Sequence, residues 1–399
     1  MAEYIRKTRQ SAGESRVPGP ILILAFFVVA GIGYVAGAFN GQMSGGMNTL
    51  LGKHQLDLSS VQATYNAVQD NFDGNIDQAK LVEGANRGLV DALGDQYTVY
   101  MNQKESTEFD DSLSGNIGGG IGVEVSLRNN LPTVVRVLRD NPAEKAGVSV
   151  NDVLVAVNGE STEGKTTSEI VSKIRGESGT TVKLSVLREG ETKDFTLTRE
   201  VVNNPSVYGS VVDGVGVMTV SRFDGETGSL ARKLATEFKS AGVKGVVLDL
   251  RGNGGGYVTA AQDVSGIWLD KKVVVTEKRA GKVTEELKAG GNPILNGVPT
   301  VVLINSSSAS ASEIVAGALR DHKAATLIGE KSFGKGSVQK LVNLSEGSML
   351  KVTVARWYTP SGLNISEKGI TPDTTVERTV DDANANRDPQ LDAAKASFK

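Results

Sequence analysis

The 399-residue chain contains no cysteine. That absence excludes cysteine proteases, thiolate zinc sites, iron–sulfur clusters and disulfides together. Histidine is nearly as scarce. The two present, His54 and His322, cannot build a multi-histidine metal site, so neither a metal nor another cofactor is expected. An excess of one charge sign is also missing: 43 Lys+Arg against 46 Asp+Glu leave a net charge of −3. A nucleic-acid binder would show a basic stripe, so nucleic acid is not an expected partner. Proline is low at 10 residues, whereas glycine reaches 47. Glycine in excess without proline points to tight turns and backbone-lined sites rather than disorder. With 39% apolar residues, the length suits two or three domains, each with a core.

The first forty residues set the expected location. Arg6, Lys7, Arg9 and Arg16 precede an uncharged stretch over 17–39 whose apolar heart is 21–30. Twenty-three helical residues span about 35 Å, enough for a ~30 Å hydrocarbon core. Basic residues before the span and none directly after it put the N-terminus in the cytoplasm. Ala36-Gly-Ala38 also fits a signal-peptide cleavage site. The span is long for a signal sequence, and a retained single-pass anchor is the reading adopted. Either way the remainder is extracytoplasmic, periplasmic or extracellular.

The pattern divides into a tail and anchor (1–40), a linker (41–55), a helical region (56–112), a β-rich module (113–200), an α/β core (201–380) and a C-terminal tail or helix (381–399). In the helical region, Val61, Tyr65 and Val68, then Ala79, Val82, Leu89, Val90 and Leu93, keep helical spacing up to Gly94. In the β-rich module, residues 121–127 and 131–138 alternate around Asn129-Asn130. A helix follows at 167–175, then a hairpin (181–187 and 192–197) around Glu189-Gly190. From Gly214 strands and helices take turns: 216–220, helix 228–241, 245–250, helix 258–269, 298–304, helix 309–321. That alternation argues an α/β layer with parallel pairing.

The β-rich module resembles a PDZ domain through Gly119-Gly-Ile-Gly-Val123, Asn141-Pro-Ala-Glu-Lys-Ala-Gly147, Asn151-Asp-Val-Leu-Val-Ala-Val-Asn-Gly159 and the helix 167–175. A glycine loop opening a strand, here Gly119, Gly120, Ile121, Gly122 and Val123, can aim backbone N–H groups at a terminal carboxylate while the strand edge pairs with the peptide.

Three later segments carry chemistry. Val246-Val-Leu-Asp-Leu-Arg-Gly-Asn-Gly-Gly-Gly256 runs a buried strand into bare backbone that can supply oxyanion donors. A dinucleotide loop would need a third glycine where Tyr257 stands. The second segment, 301–314, holds Ser306, Ser307, Ser308, Ser310 and Ser312 at a helix start. Free N–H groups there would stabilise an oxyanion, although Ser310-x-x-Glu313 is also a capping box. Five serines exceed what one cap requires. The third is Lys331-Ser-Phe-Gly-Lys-Gly-Ser-Val-Gln339. Its near match to a phosphate loop fails because Gly336 replaces the magnesium-binding Ser or Thr. Lys335, boxed in by glycine and Phe333, is either an ordinary surface lysine or a desolvated one able to act as a base. His54 sits in the linker, and His322 lies 12 residues past Ser310, about 18 Å along one helix. A Ser-Lys dyad is the simplest remaining arrangement.

In order and combination these segments resemble the carboxy-terminal processing peptidases, or tail-specific proteases. They are joined by Tyr358-Thr-Pro-Ser-Gly362 and Gly369-Ile-Thr-Pro-Asp373, and the likeness covers roughly residue 56 to the C-terminus. The resemblance implies an α/β fold: a spiral catalytic core similar to crotonase and Clp protease, an inserted PDZ domain and an N-terminal transmembrane helix. It implies an endopeptidase in which Ser310 is the nucleophile, Lys335 the base and Gln339 the residue orienting that lysine. Ala311 N–H with Gly255 or Gly256 N–H would bind the oxyanion, and Arg175 would couple peptide binding to active-site alignment. Gly252 and Gly254 depart from the Asn and Pro common there, and Leu363-Asn364 stands where a basic residue is usual. Expected partners are proteins with apolar C-terminal tails and the membrane, with a homodimer or an adaptor-regulated assembly as the oligomeric alternatives. The competing readings are a catalytically silent PDZ scaffold and, less well supported, a crotonase-like acyl-CoA enzyme.

Overall fold

The computed structural model describes residues 56–398 and divides the chain after Gln78 into two units. The expected membrane span and linker fall outside the described residues. Among the described residues no helix is long and apolar enough to cross a membrane. In the first unit, helix α1 (Ser59–Asn71) buries none of its residues.

The second unit opens at Ala79, one residue into α2 (Gln78–Asp91), of which only Val90 is buried. Helical spacing was expected throughout 56–112, yet strand β1 (Val99–Met101) interrupts it before α3 (Gln103–Ser114). The run Tyr97-Thr98-Val99-Tyr100 is β-branched and aromatic, and its partner strand lies some 250 residues away, beyond the reach of local periodicity.

The β-rich module comprises β2 (Gly119–Gly120), β3 (Val123–Arg128), β4 (Leu131–Val137), α4 (Pro142–Lys145), β5 (Val153–Val157), β6 (Glu160–Ser161), α5 (Thr167–Ile174), β7 (Thr181–Arg188), β8 (Glu191–Thr198) and β9 (Glu200–Val201). The sheet order β3-β4-β5-β7-β8 leaves β3 as an edge beside α5. Glu189 and Gly190 both take positive φ (52° and 86°), the left-handed pair that a two-residue hairpin turn requires. Alternate residues such as Val182, Leu184 and Val186 point inward to Ile121, Val134, Leu154 and Ile170. Pairing of β2 with β9 closes the module at its base.

The α/β core follows: β10 (Val207–Val212), β11 (Val215–Val220), α6 (Thr227–Ser240), β12 (Gly245–Asp249), α7 (Val258–Ser265), β13 (Val273–Arg279), β14 (Lys282–Lys288), β15 (Thr300–Ile304), α8 (Ala311–Asp321), β16 (Thr326–Gly329), β17 (Ser337–Asn343), β18 (Met349–Tyr358), β19 (Thr374–Thr375), α9 (Val380–Asn384) and α10 (Pro389–Ala396). Strands β11, β12, β15, β16 and β19 run parallel in that order. Central strand β15 is buried on both faces, hence its uninterrupted apolar run Val301-Val-Leu-Ile304. Val246, Leu248, Val302 and Ile304 meet α6, α7 and α8 on one face. Val247, Val301 and Leu303 meet Leu391 and Ala394 of α10 on the other. The C-terminal segment is therefore part of the core rather than a loose tail. A second, antiparallel sheet (β1-β18-β13-β14, with β17 on β18) carries the third chemical segment.

Candidate active site

Two loops at the C-terminal ends of β12 and β15 meet a third that precedes β17. Fully buried Asn253 holds the first. Its side-chain amide donates to the Val220 carbonyl (2.7 Å) and its Oδ1 accepts the Gly255 N–H (2.8 Å). Its main-chain carbonyl accepts the Ala309 N–H (3.0 Å) and the Ser312 hydroxyl (2.8 Å), tying the first loop to the second. Buried Ser308 adds a hydroxyl bond to the Leu250 carbonyl (2.8 Å). The surplus of serines thus has a structural cause: Ser308 and Ser312 stitch, which leaves Ser310 to face the cavity.

Helix α8 starts two residues later than expected because Ser310 has φ 55° and ψ −114°. For a non-glycine residue this is strained, costing on the order of 1–3 kcal/mol. Glu313 Oε2 accepts the Ser310 N–H (2.9 Å) in the manner of a capping box, but the Ser310 side chain makes no cap hydrogen bond. Ala311, first in the helix, has no intrahelical acceptor for its N–H. Gly255 packs against this turn at φ 106°, where a Cβ would stand 2.7 Å from Ser310 Cβ. The Gly255 N–H is committed to Asn253. Gly256 is flanked by bonds from Phe223 N–H to the Gly255 carbonyl (3.0 Å) and from Tyr257 N–H to the Phe223 carbonyl (2.7 Å). Its own N–H takes no part in that bridge, so of the two glycines expected as donors Gly256 is the one left available.

The fully buried Glu313 carboxylate also organises the third loop. Oε1 accepts the Ser332 hydroxyl (2.6 Å) and the Gly334 N–H (2.8 Å), and Oε2 accepts the Lys335 N–H (3.0 Å). Burial pushes this carboxyl above its ordinary range, while the four donors pull it back. Lys335 has no ion-pair partner among the described residues, and its Nζ lies 5.7 Å from the centre of the Tyr97 ring. Burial lowers its pKa, the charge of Lys351 lowers it further, and Glu313 opposes both.

Gly255, Gly256, Ser310, Lys335, Gln339 and Lys351 line one cavity of about 430 Å³. No hydrogen bond joins Ser310 Oγ to Lys335 Nζ. The Gln339 amide donates to Ser337 Oγ (2.8 Å) rather than contacting Lys335. His322 caps the far end of α8, its Nε2 2.7 Å from the Val273 carbonyl. His54 lies outside the described residues. Asn253, Glu313 and Lys351 escaped the sequence reading of the site. Asn253 hid among glycines, Glu313 passed for a cap, and Lys351 belongs to no motif.

In the β-rich module Gly120, Ile121, Gly122, Val123 and Arg175 line a small groove of about 50 Å³. Gly119 immediately precedes it in β2. The free edge of β3 and the apolar side of α5 (Val171, Ile174) form its walls.

A half-buried serine facing a cavity at a helix start, backbone donors beside it and a peptide groove upstream define a serine-type peptidase carrying a peptide-binding module. Comparison with known families agrees. Residues 214–376 match peptidase family S41, 119–198 the PDZ domain, and 37–105 the N-terminal domain of the activating protease CtpB. The chain is 34% identical over 358 residues to a probable CtpA-like serine protease of Staphylococcus haemolyticus, covering 89% of this chain and 72% of the relative. A probable CtpA-like serine protease of Staphylococcus aureus is also 34% identical, over 359 residues, covering 90% and 72%. The solved photosystem II D1 C-terminal processing protease is 30% identical with a TM-score of 0.51, covering 81% of this chain and 87% of that one. A putative S41 protease from Bacteroides fragilis shares the fold at a TM-score of 0.58 and 17% identity, covering 77% and 88%. The chain belongs to peptidase family S41, as a CtpA-like serine protease of the C-terminal processing type.

Proposed function

We propose that the protein is a membrane-anchored, extracytoplasmic endopeptidase that captures apolar C-terminal tails in its PDZ groove and cuts them with a Ser310–Lys335 dyad. The observation that carries this reading is that a strained serine at a helix N-terminus and a lysine without a counter-ion line one cavity. In the reaction Ser310 Oγ attacks the scissile carbonyl carbon. Neutral Lys335 takes the hydroxyl proton and delivers it to the leaving amine. Gly256 and Ala311 N–H groups receive the oxyanion, and water then hydrolyses the acyl-enzyme by the same route. Gln339 orients Lys335 once the dyad is aligned. The arrangement described is a resting one, and a tail seated on residues 119–123 beside Arg175 triggers the alignment. The uncharged stretch 17–39 with basic residues before it supports the anchor. The parallel ladder beside a small antiparallel sheet supports a crotonase- or Clp-like spiral core. A silent PDZ scaffold would have no use for Ser310 and Lys335 in one cavity.

Capture is tested with paired peptides. Those with a free apolar C-terminus bind and are cleaved, and amidation weakens binding because the backbone N–H groups lose their carboxylate. Equal binding of both forms would remove the tail-recognition reading. Arg175→Ala is expected to lower turnover more than peptide affinity.

The dyad also sets the pH dependence. kcat/KM rises with pH through one ionisation lying below the ordinary lysine value of ~10.4, since burial disfavours the ammonium. Between the folded and unfolded pKa values the unfolded chain binds a proton that the folded site rejects. Stability therefore falls as pH drops through that window, reaches its full cost below the folded pKa, and is unaffected above the unfolded one. A pH–rate profile on a short peptide checks this, and an ascending limb at the ordinary lysine value would exclude Lys335 as base.

A further inference from the structure

We propose that Lys351 is a second functional lysine of the cavity, whose ammonium charge keeps Lys335 in its neutral, proton-accepting form. The inference rests on the dyad reading above. Lys351 lies on β18, opposite Leu341 of β17 and Val99 of β1, two residues from Thr353, which pairs with Gln339. Its side chain enters the same cavity as Ser310 and Lys335. Its Nζ lies 5.3 Å from the centre of the Phe109 ring of α3, as Lys335 Nζ lies 5.7 Å from that of Tyr97.

Neither lysine has a carboxylate partner among the described residues. Two cations sharing one partly buried cavity without a counter-ion is an arrangement that structural packing alone avoids, because each disfavours the charge of the other. The remaining charged and titratable groups around Lys335 do not cancel the effect. Glu313 from α8 lies beneath it with both oxygens occupied by four donors. Arg222 at the cavity wall is paired with Asp224 (2.9 Å). Glu277 of β13 also lines the cavity, its carboxyl pushed up by burial and by the charge of Glu285, which favours its neutral form. Tyr97, whose ring lies near Lys335 Nζ, and Tyr257, on the cavity wall, bring no carboxylate to the site.

Of the two lysines, Lys335 is the one placed to act on Ser310: its own N–H shares Glu313 Oε2 with the Ser310 N–H. Lys351 stands on a strand paired on both sides, and burial lowers its own pKa too, so it acts on Lys335 over the pH range in which it still carries its proton. It is therefore a positioning residue acting through Lys335. Its removal should change the pH at which the enzyme works without changing the chemistry once Lys335 is neutral.

The test is the pH dependence of kcat/KM for wild type, Lys351→Met, Lys351→Gln and Lys351→Arg. Melting temperature establishes that each variant is folded. In Met and Gln the ascending limb is expected to move about one pH unit higher with the same plateau, an approximately tenfold loss below the limb. Arg retains the positive charge and should leave the limb near its wild-type place. Direct titration of Lys335 by NMR with labelled lysine, in Ser310→Ala with and without Lys351→Met, should show the same displacement and needs no activity. An unmoved limb in both neutral variants overturns the proposal, as does an equal displacement in Arg. A higher KM confined to free-acid peptides, with the limb unmoved, would make Lys351 a carboxylate anchor instead. Lys335→Ala separates the two readings: if it retains activity the dyad itself falls, whereas an inactive Lys335→Ala with an unmoved Lys351→Met limb removes only this inference.

Discussion

Ser310→Ala and Lys335→Ala each lower kcat by at least about 10⁴-fold and leave the fold intact, because each removes half of a unit that works only as a whole. Truncating Ser310 also removes no packing stitch: its side chain makes no cap bond, while Ser308 and Ser312 hold the loops together. His322→Ala keeps most of the activity, since its ring is engaged with the Val273 carbonyl at the far end of α8. Steady-state kinetics on a short peptide, with melting curves beside them, decide the matter. An inactive but fully stable His322 variant would overturn the dyad.

Glu313→Gln has the next largest effect. The carboxylate accepts four hydrogen bonds, two at each oxygen, from Ser310 N–H, Lys335 N–H, Gly334 N–H and the Ser332 hydroxyl. An amide has one acceptor oxygen and turns two N–H donors toward groups that are mostly donors themselves. Two buried donors are orphaned whichever way it is rotated, at about 1–3 kcal/mol each, so stability should fall by about 2–6 kcal/mol. Ser310 and Lys335 lose their shared anchor together, and kcat should fall by more than tenfold even where the variant is fully folded. Urea unfolding and kcat at low temperature measure the two effects. A stability change within about 0.5 kcal/mol would show that the carboxylate does not bear on the site.

Much of this architecture was legible in the chain. The apolar runs Val246-Val-Leu and Val301-Val-Leu-Ile304 read as buried parallel strands because both faces of the sheet are covered. Glu189-Gly190 read as a hairpin turn because few other pairs take two positive φ angles. Strand β1 was not legible, because its pairing with β18 is a contact across the whole chain and outweighs the helical spacing around it. Helix α8 was expected two residues early, since propensity cannot show that Ser310 is held out of the helical region.

Motif and composition alone determined that the chain has no cysteine and only two histidines and carries a PDZ-like module, while the family resemblance of its motifs singled out Ser310 and Lys335 as the pair to test. These follow from residue identity and short-range spacing, which survive without knowledge of any distant contact. The tertiary structure decided which backbone donor remains open and which groups are bound. Asn253 takes the Gly255 N–H and leaves Gly256 available. It also made a presumptive helix cap, Glu313, into the clasp of two loops, and brought Lys351 from a strand with no motif into the cavity of Lys335. Hydrogen-bond saturation, burial and the lack of a counter-ion are properties of neighbours remote in sequence, so only the folded chain could settle them.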